Sequence, residues 1–356
     1  MSDSRPPNQS ISPSPDRPMT ISRRSLIGAG LGTALSPSLS AAAPRMKVGL
    51  YSITYLGVWY RGDALGHEQL IERAKRFGYE GIELDGKRPH GNPLDMPGER
   101  CRELSKRAAG EGVPIYAVSG NNDFSSPIPE YRESQLLYMR ELIQMTADLG
   151  AKLLRVFLAW PGVTLVPLPR GGGSYDFSRP LWRSTHASFK PEQTWDWCRQ
   201  GMIESARWAG EHGVTLALQN HKPVINDYPD VLRMVREVAS PNLKVCLDAP
   251  LLLQKDDASV RKAALEVGPL QVLSHFGGEF EEAAGGSVPG PAFYKPFARA
   301  MAEIGYSGYI GYELCHPLPV VGGKTVGLDF ADKNARLAAK FMRGVIDEIT
   351  KERATS

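Results

Sequence analysis

The chain has 356 residues, of which 42% are apolar and 23% charged. That is enough to bury a large core, in one barrel or in two ordinary domains, and it excludes a wholly disordered chain. The formal net charge at pH 7 is +3. Arg5, Arg17, Arg23 and Arg24 against Asp3 and Asp16 place most of that excess in the first 42 residues, so the near-neutral remainder offers no footing for a nucleic-acid partner. No run of about 18 apolar, uncharged residues occurs, and no membrane anchor is expected.

Residues 1–42 read as a leader. A Ser/Pro-rich stretch precedes Ser22-Arg23-Arg24-Ser25-Leu26-Ile27, and a weakly apolar, small-residue run follows from Gly28 to Leu39. Ser40-Ala41-Ala42 fits a small-x-small cleavage site, with the cut falling within 40–44. A twin Arg before such a segment predicts a twin-arginine export signal, and hence a periplasmic or otherwise exported protein. Cys101, Cys198, Cys246 and Cys315 are widely spaced and form no paired framework, so they read as buried free thiols.

From residue 46 onward, short β-branched runs alternate with amphipathic segments. Strands are predicted at 47–51, 81–84, 114–118, 153–158, 214–219, 243–247, 270–274 and 309–313. Helices are predicted at about 66–77, 98–111, 130–149, 192–212, 229–239, 256–266, 292–304 and 328–350. The fifth helix carries Val231, Leu232, Val235 and Val238 on one face, and the last steps by four through Leu337, Phe341, Val345 and Ile349. Gly78, Gly112, Gly150, Gly213 and Gly305 stand just past apolar patterns, as C-caps do. Eight strand–helix units in residues 46–350 predict a single (β/α)8 TIM barrel. One connection is long: residues 159–190, after the fourth strand, read as a loop forming a lid or substrate-binding segment. Gly171-Gly172-Gly173 lacks the strand and helix that a phosphate loop needs.

The strand ends carry the chemistry. The second strand ends with Glu83, the fifth with Gln219 and His221, the sixth with Asp248, the seventh with His275, and the eighth with Glu313 and His316. Closing a barrel brings these ends together. Two carboxylates, an imidazole and an amide oxygen make an oxygen-rich site with one nitrogen, suited to Mn²⁺ or Mg²⁺ and open to Co²⁺ or Zn²⁺.

The succession Gly-Ile-Glu-Leu, Leu-Gln-Asn-His, Leu-Asp-Ala, His-Phe-Gly and Tyr-Glu-Leu resembles the xylose-isomerase-like TIM-barrel family of sugar isomerases and epimerases, over roughly residues 46–345. The resemblance implies one divalent metal, Mn²⁺ foremost, held by Gln219, Asp248, His275 and Glu313. The family has Glu where this chain has Gln219. An amide can ligate but cannot exchange protons at neutral pH, which argues against an epimerase that uses two carboxylates.

Enolisation beside a metal-polarised carbonyl then leaves Glu313 as the base, with His221 as a second proton carrier and Glu83 as a further catalytic candidate. The expected function is a metal-dependent isomerase or epimerase of a free sugar or keto-sugar. The alternatives are a lyase acting on a keto-sugar, inosose or 3-keto-glycoside, an apurinic-site endonuclease-like hydrolase, and a non-catalytic sugar-binding barrel. Strand ends three and four offer neither His nor carboxylate, which disfavours a multi-metal nuclease. The expected partner is a small carbohydrate, and a homo-oligomer is compatible with the sequence. Trp160, Tyr55, Lys222 and His316 are expected to bind substrate, with Arg170 as a further candidate and Trp195 and Trp197 assigned to helix packing.

Overall fold

Eight strands too apolar to face water on either side form the centre of the computed structural model, which describes residues 45–355. The leader predicted over residues 1–42 lies outside the described residues. The strands are β1 (Lys47–Tyr51), β2 (Ile82–Asp85), β3 (Ile115–Ser119), β4 (Leu153–Val156), β5 (Thr215–Gln219), β6 (Leu243–Cys246), β7 (Gln271–Gly277) and β8 (Tyr309–Glu313). Each pairs in parallel with its sequence neighbours, and β1 closes on β8, giving the expected (β/α)8 barrel.

The helices α1 (His67–Phe77), α2 (Gly98–Gly110), α3 (Pro129–Asp148), α5 (Pro191–Glu211), α6 (Tyr228–Val238), α7 (Asp257–Val267), α8 (Tyr294–Glu303) and α9 (Leu328–Thr355) bury one face each. The five predicted C-cap glycines all adopt φ between 64° and 79°, which ends each helix without a Cβ clash. On α6, Met234 joins Val231, Val235 and Val238 in the core, while Leu232 is only half-buried.

Three boundaries depart from the sequence reading. β4 stops at Val156 because the Asn122 side chain takes both backbone groups of Phe157, accepting from its N–H and donating to its carbonyl. β7 runs on to Gly277, which pairs with Glu313. The connection over 159–190 is not a bare loop. Thr164–Leu165 pairs with Gly173–Ser174, and a further helix, α4 (Ser178–His186), follows. The Gly171–Gly173 turn packs under Trp59 and Thr325, and Thr325 donates from its backbone to Arg170 and from its hydroxyl to Gly171.

The lower barrel is filled by one ring. The β2–β3 register slips by one residue between Ile115 and Ala117, a bulge that leaves Tyr116 unpaired and aims it inward. Its ring stacks on Tyr309 at 3.9 Å, in space left by Gly49 and Gly311. A Cβ on Gly49 would stand 2.6 Å from two Tyr116 ring carbons. Gly49→Ala is therefore expected to destabilise the barrel by about 1–3 kcal/mol, read as an earlier thermal midpoint. An unchanged midpoint would show that the ring is free to move.

Candidate functional site

His275 is the hub of the barrel mouth, because side chains two apart on a strand share a face and the strand ends of a closed barrel point theirs at one spot. Its Nδ1 lies 3.0 Å from Asp248 Oδ2 and its Nε2 lies 2.8 Å from Glu83 Oε2. Its backbone N–H also donates to Asp248 Oδ1 at 2.7 Å. All three side chains are fully buried. Burial opposes a charged imidazole, but Glu83 and Asp248 outweigh it and hold His275 well above the ordinary range. Behind this group, Glu83 accepts from the Ser119 hydroxyl and, at 3.4 Å, from the Tyr116 hydroxyl.

A second buried cation, Arg155, comes from within β4. Its Nε donates to Ser119 Oγ at 3.1 Å, Nη1 to Gln219 Oε1 at 3.3 Å, and Nη2 to the Tyr51 hydroxyl at 2.5 Å. Tyr51 in turn donates to Asp85, which also accepts from Asn121. The Phe157 ring covers one face of the guanidinium at 4.2 Å. Gln219 is thus fixed at both ends of its amide: oxygen towards Arg155, nitrogen donating to Asp248 and lying 3.4 Å from His275 Nδ1.

Above this network lies a cavity of about 450 Å³, a size that suits a small sugar. Tyr51, Arg155, Gln219 and Glu313 line it from the strand ends, and Tyr175, Asp176 and Arg179 line it from the insertion. Trp160 stacks on Phe157 at 4.9 Å and meets His221 edge-on at 5.3 Å. Glu313 is half-buried on the wall. Burial pushes its carboxyl up to about 7, Asp248 and Glu83 push the same way, and His275 and Arg155 oppose them. Burial lowers His221 to about 4, so the ring is neutral. Its Nδ1 donates to the Lys222 carbonyl at 2.5 Å, which leaves Nε2 as an acceptor.

The donor set fits a divalent cation. Among the described residues, Cys246, Asp248 and His275 place ligand atoms within 4.8 Å of one another. Around them, Glu83, Asp85, Asp248 and Glu313 bring four carboxyl groups to the mouth beside Arg155, and a dication would displace the proton of His275 and take its place among them. Burial pushes the Cys246 thiol up, which favours the oxygen and nitrogen donors over sulfur.

The predicted residues divide accordingly. Gln219, Asp248 and His275 meet, and Glu313, His221, Trp160 and His316 line the cavity beside them. Three expectations are corrected. Glu83 is sealed behind His275, off the cavity wall, and can only orient that ring. Tyr55 is buried with its hydroxyl on Asp332, 2.8 Å away. Lys222 is exposed beyond the rim. The residues that sequence reasoning missed are Arg155, Tyr51, Asp85 and Arg179. The signal for Arg155 was an Arg inside an otherwise apolar strand. All four cysteines are free thiols, as expected; Cys101, Cys198 and Cys246 are buried, but Cys315 is half-buried on the cavity wall.

The model of the xylose isomerase-like TIM barrel family matches residues 71–345. Among solved structures, a D-psicose 3-epimerase crystallised in the presence of D-fructose is similar at 17% identity and a TM-score of 0.63, covering 85% of this chain and 99% of that one. D-psicose 3-epimerase with D-tagatose from Clostridium cellulolyticum H10 gives 20% identity and 0.63, with 85% and 99% covered. The 3-keto-D-glucoside 4-epimerase from E. coli gives 17% and 0.59, with 84% and 100% covered. No curated protein sequence matches the chain. With its closed parallel barrel and a family match spanning most of its length, the chain belongs to the xylose isomerase-like TIM barrel family.

Proposed function

We propose that the protein is a sugar isomerase or epimerase that enolises a free sugar or keto-sugar next to its carbonyl. The observation that carries this reading is Glu313, a carboxylate on the wall of a sugar-sized cavity with a carboxyl held near neutrality beside Asp248 and His275. A base poised near the working pH is what proton abstraction from carbon requires. The similar structures are of sugar epimerases, which supports the same class of substrate.

Asp248 and His275, which meet at the mouth, would hold a divalent ion together with Gln219 and Glu313 as the family resemblance implies, Mn²⁺ by the character of these donors. When bound, such an ion polarises the substrate carbonyl. The chain's own groups do the rest. Glu313 takes the proton, Glu83 keeps the His275 ring in place, and Trp160 and Phe157 cover the sugar's apolar face and keep water out. The His221 Nε2 lone pair accepts from a sugar hydroxyl.

A lyase acting on a keto-sugar or 3-keto-glycoside is the second reading, favoured by the amide at 219. With one strand-end carboxylate on the cavity wall instead of two, an enolised sugar is better placed to return its proton to a neighbouring carbon or to expel a β-substituent than to be reprotonated on its other face.

Incubating metal-loaded protein with keto-sugars and 3-keto-glycosides in D₂O tests both. Deuterium beside the carbonyl at unchanged composition is expected for the isomerase, and loss of water or aglycone for the lyase. Absence of exchange on every carbonyl substrate would sink both readings. Glu313→Gln should lower turnover by about 10²–10⁴-fold. In the wild type, turnover should fall as the pH drops through about 7, because the protonated carboxyl cannot accept a proton. Glu83→Gln should weaken Mn²⁺ binding by about 10–100-fold, measured by titration calorimetry, since His275 loses the partner that orients it.

For the leader we propose twin-arginine export. Replacing Arg23 and Arg24 by Lys should leave the protein in the cytoplasmic fraction, and undiminished export of that variant would refute the assignment.

A further inference from the structure

Arg155 has capacity left over. A guanidinium offers five N–H donors. Three are taken, by Ser119, Gln219 and Tyr51, and one N–H on each Nη has no partner among the described residues. The side chain is nearly sealed from solvent yet lines the cavity, so those two donors are available to a ligand there. Nor is the group free to swing: its partners come from three different strands, and Phe157 lies against its face. A fixed cation with two spare donors at the floor of a sugar-sized cavity matches a planar anion with two oxygens.

We propose that Arg155 is an oxyanion-binding catalytic residue, whose two spare N–H groups receive the oxygen that becomes negative when the substrate is enolised. This rests on the enolisation reading above. Glu313 removes a proton from the carbon next to the carbonyl, and the C–H electron pair becomes the new carbon–carbon π bond. The carbonyl π pair moves onto oxygen, where Arg155 donates to it. Return of the proton from Glu313 to its original carbon restores the original carbonyl; return to the former carbonyl carbon, with the neighbouring hydroxyl's proton passing to the oxyanion, moves the carbonyl to the neighbouring carbon, and no further reactant is needed. Gln219 and Ser119 act as the clamp that presents the guanidinium. The same chemistry would serve a substrate that is itself a sugar acid, whose carboxylate is also planar with two oxygens.

The test measures binding and needs no turnover, so its failure is separable from failure of the enolisation reading. Wild type, Arg155→Met and Arg155→Lys, brought to equal metal content, are titrated with oxalate as the enediolate mimic, D-gluconate as the sugar acid and D-fructose as the neutral sugar. Oxalate affinity is expected to fall by about 10–100-fold in Arg155→Met, and at least tenfold in Arg155→Lys, whose single ammonium cannot present two parallel donors. D-fructose affinity should change less than about twofold. A matching loss for D-gluconate assigns the site to a sugar acid, and a loss confined to oxalate assigns it to the enolised form. Once a substrate is in hand, Arg155→Lys should lower kcat with KM nearly unchanged in the second case. If Arg155→Met does not fold, Arg155→Lys alone decides. Oxalate binding as tight as in wild type would overturn the proposal, as would equal losses for oxalate and D-fructose, which would mark Arg155 as merely structural.

Discussion

The barrel mouth depends on one clamped side chain. His275 is held through both ring nitrogens and its backbone N–H by two carboxylates from opposite parts of the sheet, Glu83 on β2 and Asp248 just past β6. Neither carboxylate meets water, so the imidazolium and its partners stand or fall together: removing one member of such a buried set leaves an uncompensated charge, at a cost of about 3–5 kcal/mol. A well-packed apolar trio would hold the strands equally well. What the charged trio adds is a fixed direction for the Nδ1 and Asp248 oxygens, which a ligand site needs and a hydrophobic contact cannot supply.

The polar network can exist because the surroundings exclude water. Tyr116 and Tyr309 seal the barrel below, and Phe157, Trp160 and Tyr175 form a wall above. Between these layers, charges interact in a medium of low polarisability, where each neighbour counts for more than at a surface. The surface ion pairs of the helices, such as Arg207–Glu211 or Lys262–Glu266, are solvent-screened and do little by comparison. The insertion after β4 belongs to this wall. Its ribbon and α4 carry Tyr175, Asp176 and Arg179 over the cavity, and its anchorage to Trp59 and Thr325 ties it to the β1 and β8 ends of the barrel.

The barrel was legible in the chain because its signals are local. Apolar runs of strand length, helical spacing and capping glycines each depend on a few neighbouring residues, and they placed eight strands and eight helices within a few positions. The later strand ends were legible for the same reason, since an Asp, His or Glu directly after an apolar run stands out. Arg155 was not, because a charged residue within a strand reads as an exposed position until closure shows that it faces the axis. Glu83 carried the opposite difficulty. The residue was visible, but whether it meets substrate or His275 depends on rotamers that no pattern encodes. Tyr55 and Lys222 were chosen as residues that suit sugars, and their positions depend on turns after β1 and β5 that period-two reasoning does not reach. The bulge at Tyr116, which decides what fills the barrel, has no sequence signal beyond two distant glycines.

Gln219 and Arg155 make most sense as one feature. A carboxylate at 219 would lie beside Asp248 and repel it unless an ion stood between them. The amide removes that repulsion by donating to Asp248, and it turns its oxygen to the guanidinium 3.3 Å away. Relative to a carboxylate facing a neutral neighbour, the pair makes the centre of the mouth two charges less negative. The proposed enolisation would create one negative charge at that place. At about 4 Å and an effective dielectric constant of about 20, a fixed cation is worth on the order of 4 kcal/mol to a new anion, with no reorganisation required as the charge forms. Glu313, whose own ionised form is disfavoured by burial and by Asp248, would gain from giving up its charge as the proposed base. In the proposed reaction, base and cation would favour the same movement of charge, from the Glu313 carboxylate to an oxygen at Arg155, and that shared direction would tie the amide at 219 to the chemistry of the cavity.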